Sequence, residues 1–280
     1  MSSPPELTDR ATLARHRARA RRAPEMFLHA AVRDEIKERL TEVNRTFKSP
    51  ATVTGFPDFW SEAFPAARIV PDEDVLDLDP GGHDLVIHAL ALHWANDPVG
   101  QLVQMRRALA PDGFCITALF GGRTLAELRS VLAETETRLM GGLSPRVAPM
   151  GEIRDLGALL QRAGLALPVA DSMPLTVTYK SVMRLVKDLR AMGETNALAQ
   201  RDRQPLNRQF LAQVDSTYAE HFEADGGRIG ATFEIVFLSG WAPAENQQKP
   251  LRPGSASARL ADALGTDEKG AGDPIIPPRD

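Results

Sequence analysis

Residues 83–122, HDLVIHALALHWANDPVGQLVQMRRALAPDGFCITALFGG, decide the fold. Asp84 leads into the apolar run Leu85–Ile87, and a short apolar run bounded by polar residues reads as a strand buried on both faces. Asn96-Asp97-Pro98 then supplies an N-cap and a proline for the first helical turn. Leu102, Met105, Arg106 and Leu109 recur at helical spacing, and Pro111-Asp112-Gly113 is the expected stop. Phe114–Phe120 is a second buried strand, closed by Gly121-Gly122. Strand, helix and strand make a βαβ unit, so the two strands are expected to be parallel.

The segments DLVIHALALHW, NDP, LAPDGF and LFGG resemble the fourth strand, the following helix and the fifth strand of class I S-adenosylmethionine (SAM) methyltransferases. Within that superfamily they are most similar to the methyltransferase-fold assembly factors of respiratory complex I, described as protein-arginine hydroxylases. The biotin-synthesis malonyl-carrier-protein methyltransferase is a cousin. The likeness continues through TLAELR (124–129), GGLSPRVAP (141–149), DLGALLQRAG (155–164), DLRAMGETNA (188–197) and GWAPAENQQKPLRPGSA (240–256). It implies a Rossmann-like α/β fold with a mostly parallel sheet and an antiparallel final strand, SAM as cofactor, and a complex I subunit as protein partner.

With 280 residues, 43% of them hydrophobic and 25% charged, the chain has ordinary globular composition and can bury a substantial core. A net charge of −4 gives no reason to expect nucleic acid. No apolar run approaches the roughly 20 residues of a membrane span. The single cysteine, Cys115, excludes an intrachain disulfide and reads as core inside its strand. The six histidines lack metal-ligand spacing, so no metal site is expected.

Residues 10–22, RATLARHRARARR, hold six arginines and no acid. They read as the first helix of the domain. The same composition suits a transit peptide, so the expected location is the bacterial cytoplasm on the first reading and the mitochondrial matrix on the second. Met26–Leu40 follows as a second helix, and 1–48 forms an N-terminal helical segment.

The core is expected over 49–179. Ala51–Thr54 is the first strand and turns at Gly55. There the methyltransferase family presents a glycine-rich loop, because a Cβ would collide with the cofactor; here VTGFPDFW offers one glycine. The 29 positions from Gly55 to Asp84 hold a helix near Pro57–Ala66 and one strand at Ala67–Val70. Four elements belong in that interval, so one strand–helix unit is expected to be missing. Asp72 and Glu73 then have three readings: the acid near the adenine, the ribose ligand if Ala67–Val70 is the second strand, or a solvated turn. Gly55, Asp72, Glu73 and His88 are the cofactor-binding candidates. His88, His93 and Trp94 sit at the carboxyl end of the organising strand, where open α/β sheets bind ligands, and are the catalytic candidates. No Asp or Glu is spaced to orient either histidine.

Downstream, Thr124 is expected to cap a helix with Leu125, Leu128, Leu132 and Leu139 inward. Arg146 lies in a loop, facing either a carboxylate or solvent. Gly151–Ala163 is helical, and Leu165–Asp171 and Leu175–Tyr179 read as a strand pair broken at Pro174. Residues 180–228 form a helical cap insertion, and 229–260 hold the final strand, Ala231–Trp241, and the tail shared with the family. The stretch 261–280 has disordered composition. Two functions follow: SAM-dependent methyl transfer or arginine hydroxylation on a complex I subunit, or a non-catalytic assembly protein with a degenerate SAM site.

Overall fold

The computed structural model describes residues 6–245 and 247, so the shared tail and the stretch 261–280 lie essentially outside the described residues. Helices α1 (Arg10–Ala20) and α2 (Phe27–Val43) precede β1 (Pro50–Thr54), α3 (Pro57–Ala63) and β2 (Arg68–Pro71). The organising βαβ unit is β3 (His83–Ala89), a 3₁₀ turn at Leu92–Trp94, α4 (Pro98–Ala108) and β4 (Leu109–Phe120). Then come α5 (Ala126–Met140), α6 (Ile153–Arg162), β5 (Ala166–Tyr179), α7 (Val182–Ala191), α8 (Arg208–Phe222), β6 (Glu223–Ala224) and β7 (Arg228–Trp241).

The sheet runs β2-β1-β3-β4-β7-β5, with β6 pairing β7. The first four strands are parallel, and β7 is antiparallel to both neighbours. This is the expected Rossmann-like fold. Only α3 and β2 stand between β1 and β3, so the chain is one strand–helix unit short. Because β2 pairs directly with β1 at Val53–Val70, it is the second strand, and the lost unit belongs outside it.

Both faces of the sheet are covered, as the continuous apolar strands require. Leu85, Ile87 and Ile116 point to the side packed by α2, α5, α7 and α8. Val86, Cys115 and Leu238 point to the side packed by α4 and α6. Cys115 is fully buried, its thiol pushed up to about 12 by desolvation. Asp97 caps α4 by accepting from Gly100 N at 2.8 Å.

Local expectations fail in four places. Leu165–Asp171 and Leu175–Tyr179 are one strand, β5, which runs through Pro174; it ends the sheet path, where a missing N–H can face away from the ladder. β4 begins at Leu109, ahead of Pro111-Asp112-Gly113, and that tripeptide is absorbed as a bulge, with the register jumping from Leu109 to Phe114. Thr124 does not cap α5. Its hydroxyl is buried and donates to the Glu234 carbonyl, and Leu125 takes the cap position at φ 53° without a side-chain bond. Leu139 is 44% exposed rather than inward.

Candidate functional site

At the carboxyl ends of β1 and β2 the chain builds a small cavity of about 290 Å³, lined by Arg17, Thr54, Gly55 and Asp72 among others. Gly55 is buried where β1 turns into α3, and Pro57 at the first turn of α3 sets the corner. A Cβ on Gly55 would lie 2.5 Å from Arg17 Nε and 2.6 Å from its Nη1. A side chain at position 55 would have to displace the Arg17 guanidinium, whereas the backbone conformation makes no demand for glycine.

Arg17 comes from α1 and reaches Asp72, the first residue after β2. Its Nη1 is 2.6 Å from Asp72 Oδ1, and both side chains are only 6% exposed. Arg10 Nη1 stands 3.3 Å from the other carboxylate oxygen, and its Nη2 bonds the Asp72 carbonyl. Arg21 donates to the Gly55 carbonyl at 2.8 Å. Burial is the largest single influence and works to raise the Asp72 carboxyl, but the attraction and hydrogen bond of Arg17 together with the charge of Arg10 hold the pKa below the usual carboxylate range. Arg17 Nε and Nη2 are buried without partners.

Of the three readings of this acidic turn, solvation fails for Asp72 and holds for Glu73. The Glu73 side chain is exposed, and its carbonyl accepts from Gln101 at 2.9 Å. Asp72 directly follows β2, the strand that pairs with β1. The cradle therefore supplies two things an adenosine cofactor needs, a Cβ-free turn and an acid, and these fit SAM. The Arg17 side chain covers both.

His88 is fully buried on the α4 side of β3, 2.8 Å from Gln101 Oε1. The Gln101 amide nitrogen is committed to the Glu73 carbonyl, so its oxygen faces the ring and His88 Nε2 carries the proton. Nδ1 is left buried and unpartnered. Desolvation, opposed by the Gln101 bond, lowers the pKa to about 4. His88 lines neither this cavity nor the larger one described next.

His93 and Trp94 meet a residue that local spacing does not reveal. His93 Nε2 is 3.1 Å from Glu194 Oε2, and Trp94 Nε1 donates to the same oxygen at 2.7 Å. The expectation that no carboxylate orients a histidine is therefore corrected. The partner lies 101 positions away in sequence, and Gly193, at φ +76°, turns it inward after α7. Burial pushes the Glu194 carboxyl up, but His93, Arg17 and the Trp94 donor hold it below its ordinary value. Its side chain is 6% exposed, and Oε1 has no partner. The available signal was the segment DLRAMGETNA, which contains Glu194.

Glu194 and Trp94 face a larger cavity of about 810 Å³ with apolar walls that include Phe120, Leu128, Val182 and Phe233. Arg146, left between carboxylate and solvent, pairs with Glu136 at 2.7 Å and Asp202 at 3.1 Å. Among the described residues no cluster of His, Cys, Asp and Glu could hold a metal, and no helix is long and apolar enough to cross a membrane.

No family model matches the chain. It is 34% identical over 232 residues to the zebrafish (Danio rerio) protein named arginine-hydroxylase NDUFAF5, mitochondrial, covering 82% of this chain and 72% of that one. Against the human protein of that name, identity is 36% over 198 residues, covering 71% of this chain and 57% of the human one. The malonyl-[acyl-carrier protein] O-methyltransferase of Laribacter hongkongensis is 34% identical over 188 residues, 67% of this chain and 61% of its own length.

Proposed function

Because the chain belongs to the family of the arginine-hydroxylase NDUFAF5 proteins, we propose that it binds SAM and modifies an arginine side chain on a partner, a subunit of respiratory complex I. The observation that carries this reading is Glu194, a buried carboxylate that lines a cavity large enough for a side chain and whose Oε1 has no hydrogen-bond partner. A guanidinium pairs with a carboxylate better than any other protein group, and burial strengthens that pairing. His93 and Trp94 hold the Oε2 side fixed and leave Oε1 to orient the substrate.

Gly55 and Asp72 would hold the cofactor, with Arg17 withdrawn. Bound there, SAM supplies an activated methyl group. The chain's own contribution is to bind, orient and keep water from the target side chain. A second reading, an assembly protein without catalysis, is favoured by the Arg17 side chain lying over the lone glycine of the cradle.

The test combines titration calorimetry with mass spectrometry. Micromolar SAM binding is the expected outcome, with a mass gain of one methylene on an arginine of the co-incubated complex I subunit or, when dioxygen and a two-electron reductant are also supplied, of one oxygen. SAM silence at millimolar concentration together with an unmodified subunit would leave the assembly reading.

A further inference from the structure

The chain as a whole is acidic, at net −4, yet the large cavity is ringed by positive charge. Six arginines line it against two carboxylates, Glu194 and Asp202. Arg146 is committed to Glu136 and Asp202, and Arg201 to Asp9. Arg15, Arg19, Arg190 and Arg203 have no carboxylate partner among the described residues. Among the described residues the Arg15 and Arg19 side chains bond the hydroxyls of Thr12 and Thr195.

These four cations come from three separate places: α1, α7 and the connection between α7 and α8. Arg19 and Arg190 are close enough to repel. Burial first, then Arg190, lowers the Arg19 pKa. Unpaired like charges held around an apolar opening call for an anionic occupant, which relieves the repulsion and gains long-range steering. A ligand with a single charged head satisfies one cluster. A rim spread over three elements is matched by several carboxylates on an extended chain. The walls take apolar side chains, and Met183, 53% exposed, extends that apolar surface to the edge.

We propose that the cavity receives an acidic, apolar segment of a partner protein, its carboxylates paired with Arg15, Arg19, Arg190 and Arg203 and its apolar side chains on the cavity walls. The inference rests on the reading above that a target side chain enters here, and it adds that the target arginine lies among acidic and apolar neighbours. Such a segment passes a cationic rim that would repel an isolated arginine, and delivers the guanidinium to Glu194.

The experiment uses the full chain and fluorescent peptides carrying one arginine among leucines and phenylalanines. One peptide has aspartate and glutamate at the remaining positions, and a second has asparagine and glutamine there. The acidic peptide should bind at least about tenfold tighter and lose about tenfold when salt is raised across the screening range. Arg19→Glu combined with Arg190→Glu should weaken it by a further factor of about ten, while Arg162→Glu, an exposed change at the end of α6, leaves it unchanged. The salt series needs no substitution, so a poorly folded variant cannot mask the result. Equal binding of both peptides, or saturable binding of dodecanoate or anionic phosphatidylglycerol vesicles with no binding of the acidic peptide, would overturn the proposal. SAM titration of the same samples separates the two claims: SAM binding without acidic-peptide preference sinks this inference alone, and acidic-peptide preference without SAM binding sinks the cofactor reading alone.

Discussion

Replacing Arg17 with methionine tests the account of the small cavity. Removing one partner of a buried ion pair ordinarily costs about 3–5 kcal/mol, because the other charge is left uncompensated. Two features of this site reduce that figure. Arg10 remains within 3.3 Å of Asp72 and keeps a counter-charge beside it. Arg17 also buries two unpartnered nitrogens, and each such group costs about 1–3 kcal/mol that the substitution recovers. The expected net loss is therefore at most about 3 kcal/mol, read as a modest fall in the urea midpoint with an unchanged slope. Asp72→Asn added to Arg17→Met should cost less than the sum of the two single changes, since deleting both charges leaves neither stranded. SAM should bind Arg17→Met about tenfold more tightly than the parent chain, because the space over Gly55 is vacated. A loss beyond 5 kcal/mol, additive single changes, or weaker SAM binding would each refute the reasoning, the last by making Arg17 a ligand of the cofactor.

Glu194→Gln keeps an acceptor for His93 and Trp94 but removes the charge. It should lower stability by about 1–3 kcal/mol in urea titration and abolish arginine modification in the mass assay. His29 and His88, both fully buried, have pKa values lowered to about 4 by desolvation. The unfolded chain binds protons at these histidines from about pH 6.5 downward and the folded chain does not, so stability falls between about pH 6.5 and 4 by about 3 kcal/mol per residue. Thermal melting across that window checks the slope, and His88→Gln should flatten it. The depressed Asp72 and Glu194 carboxyls act in the same direction: their stabilisation is present above the unfolded carboxylate pKa and is lost on further acidification. Gly193→Ala should cost about 1–2 kcal/mol from the left-handed conformation, with an added contact because its Cβ would stand 3.0 Å from Phe56 Cζ. Equal stability of that variant would count against the turn as the element aiming Glu194.

The sequence by itself determined what depends on local periodicity. Leu85–Ile87 and Phe114–Phe120 are strands because apolar residues bounded by turn signals must be buried on both faces, and Asp97-Pro98 starts α4 because the cap and the proline act within one turn. The shortage of one strand–helix unit was legible from the interval between Gly55 and Asp84, since chain length limits how many elements fit. Pro174 and Thr124 misled because each has a local preference that its place in the sheet overrides. Only the tertiary structure decided the site. Arg17 looks like its neighbours on a basic helix, and nothing in the helical repeat marks it as the one that is buried against Gly55 and Asp72, 55 positions from that carboxylate. Glu194 and His93 come from elements far apart in the chain, and they meet because the turn after α7 lies against the 3₁₀ turn that follows β3. Pairings between distant residues follow from how layers stack, and the sequence near either residue carries no record of that contact.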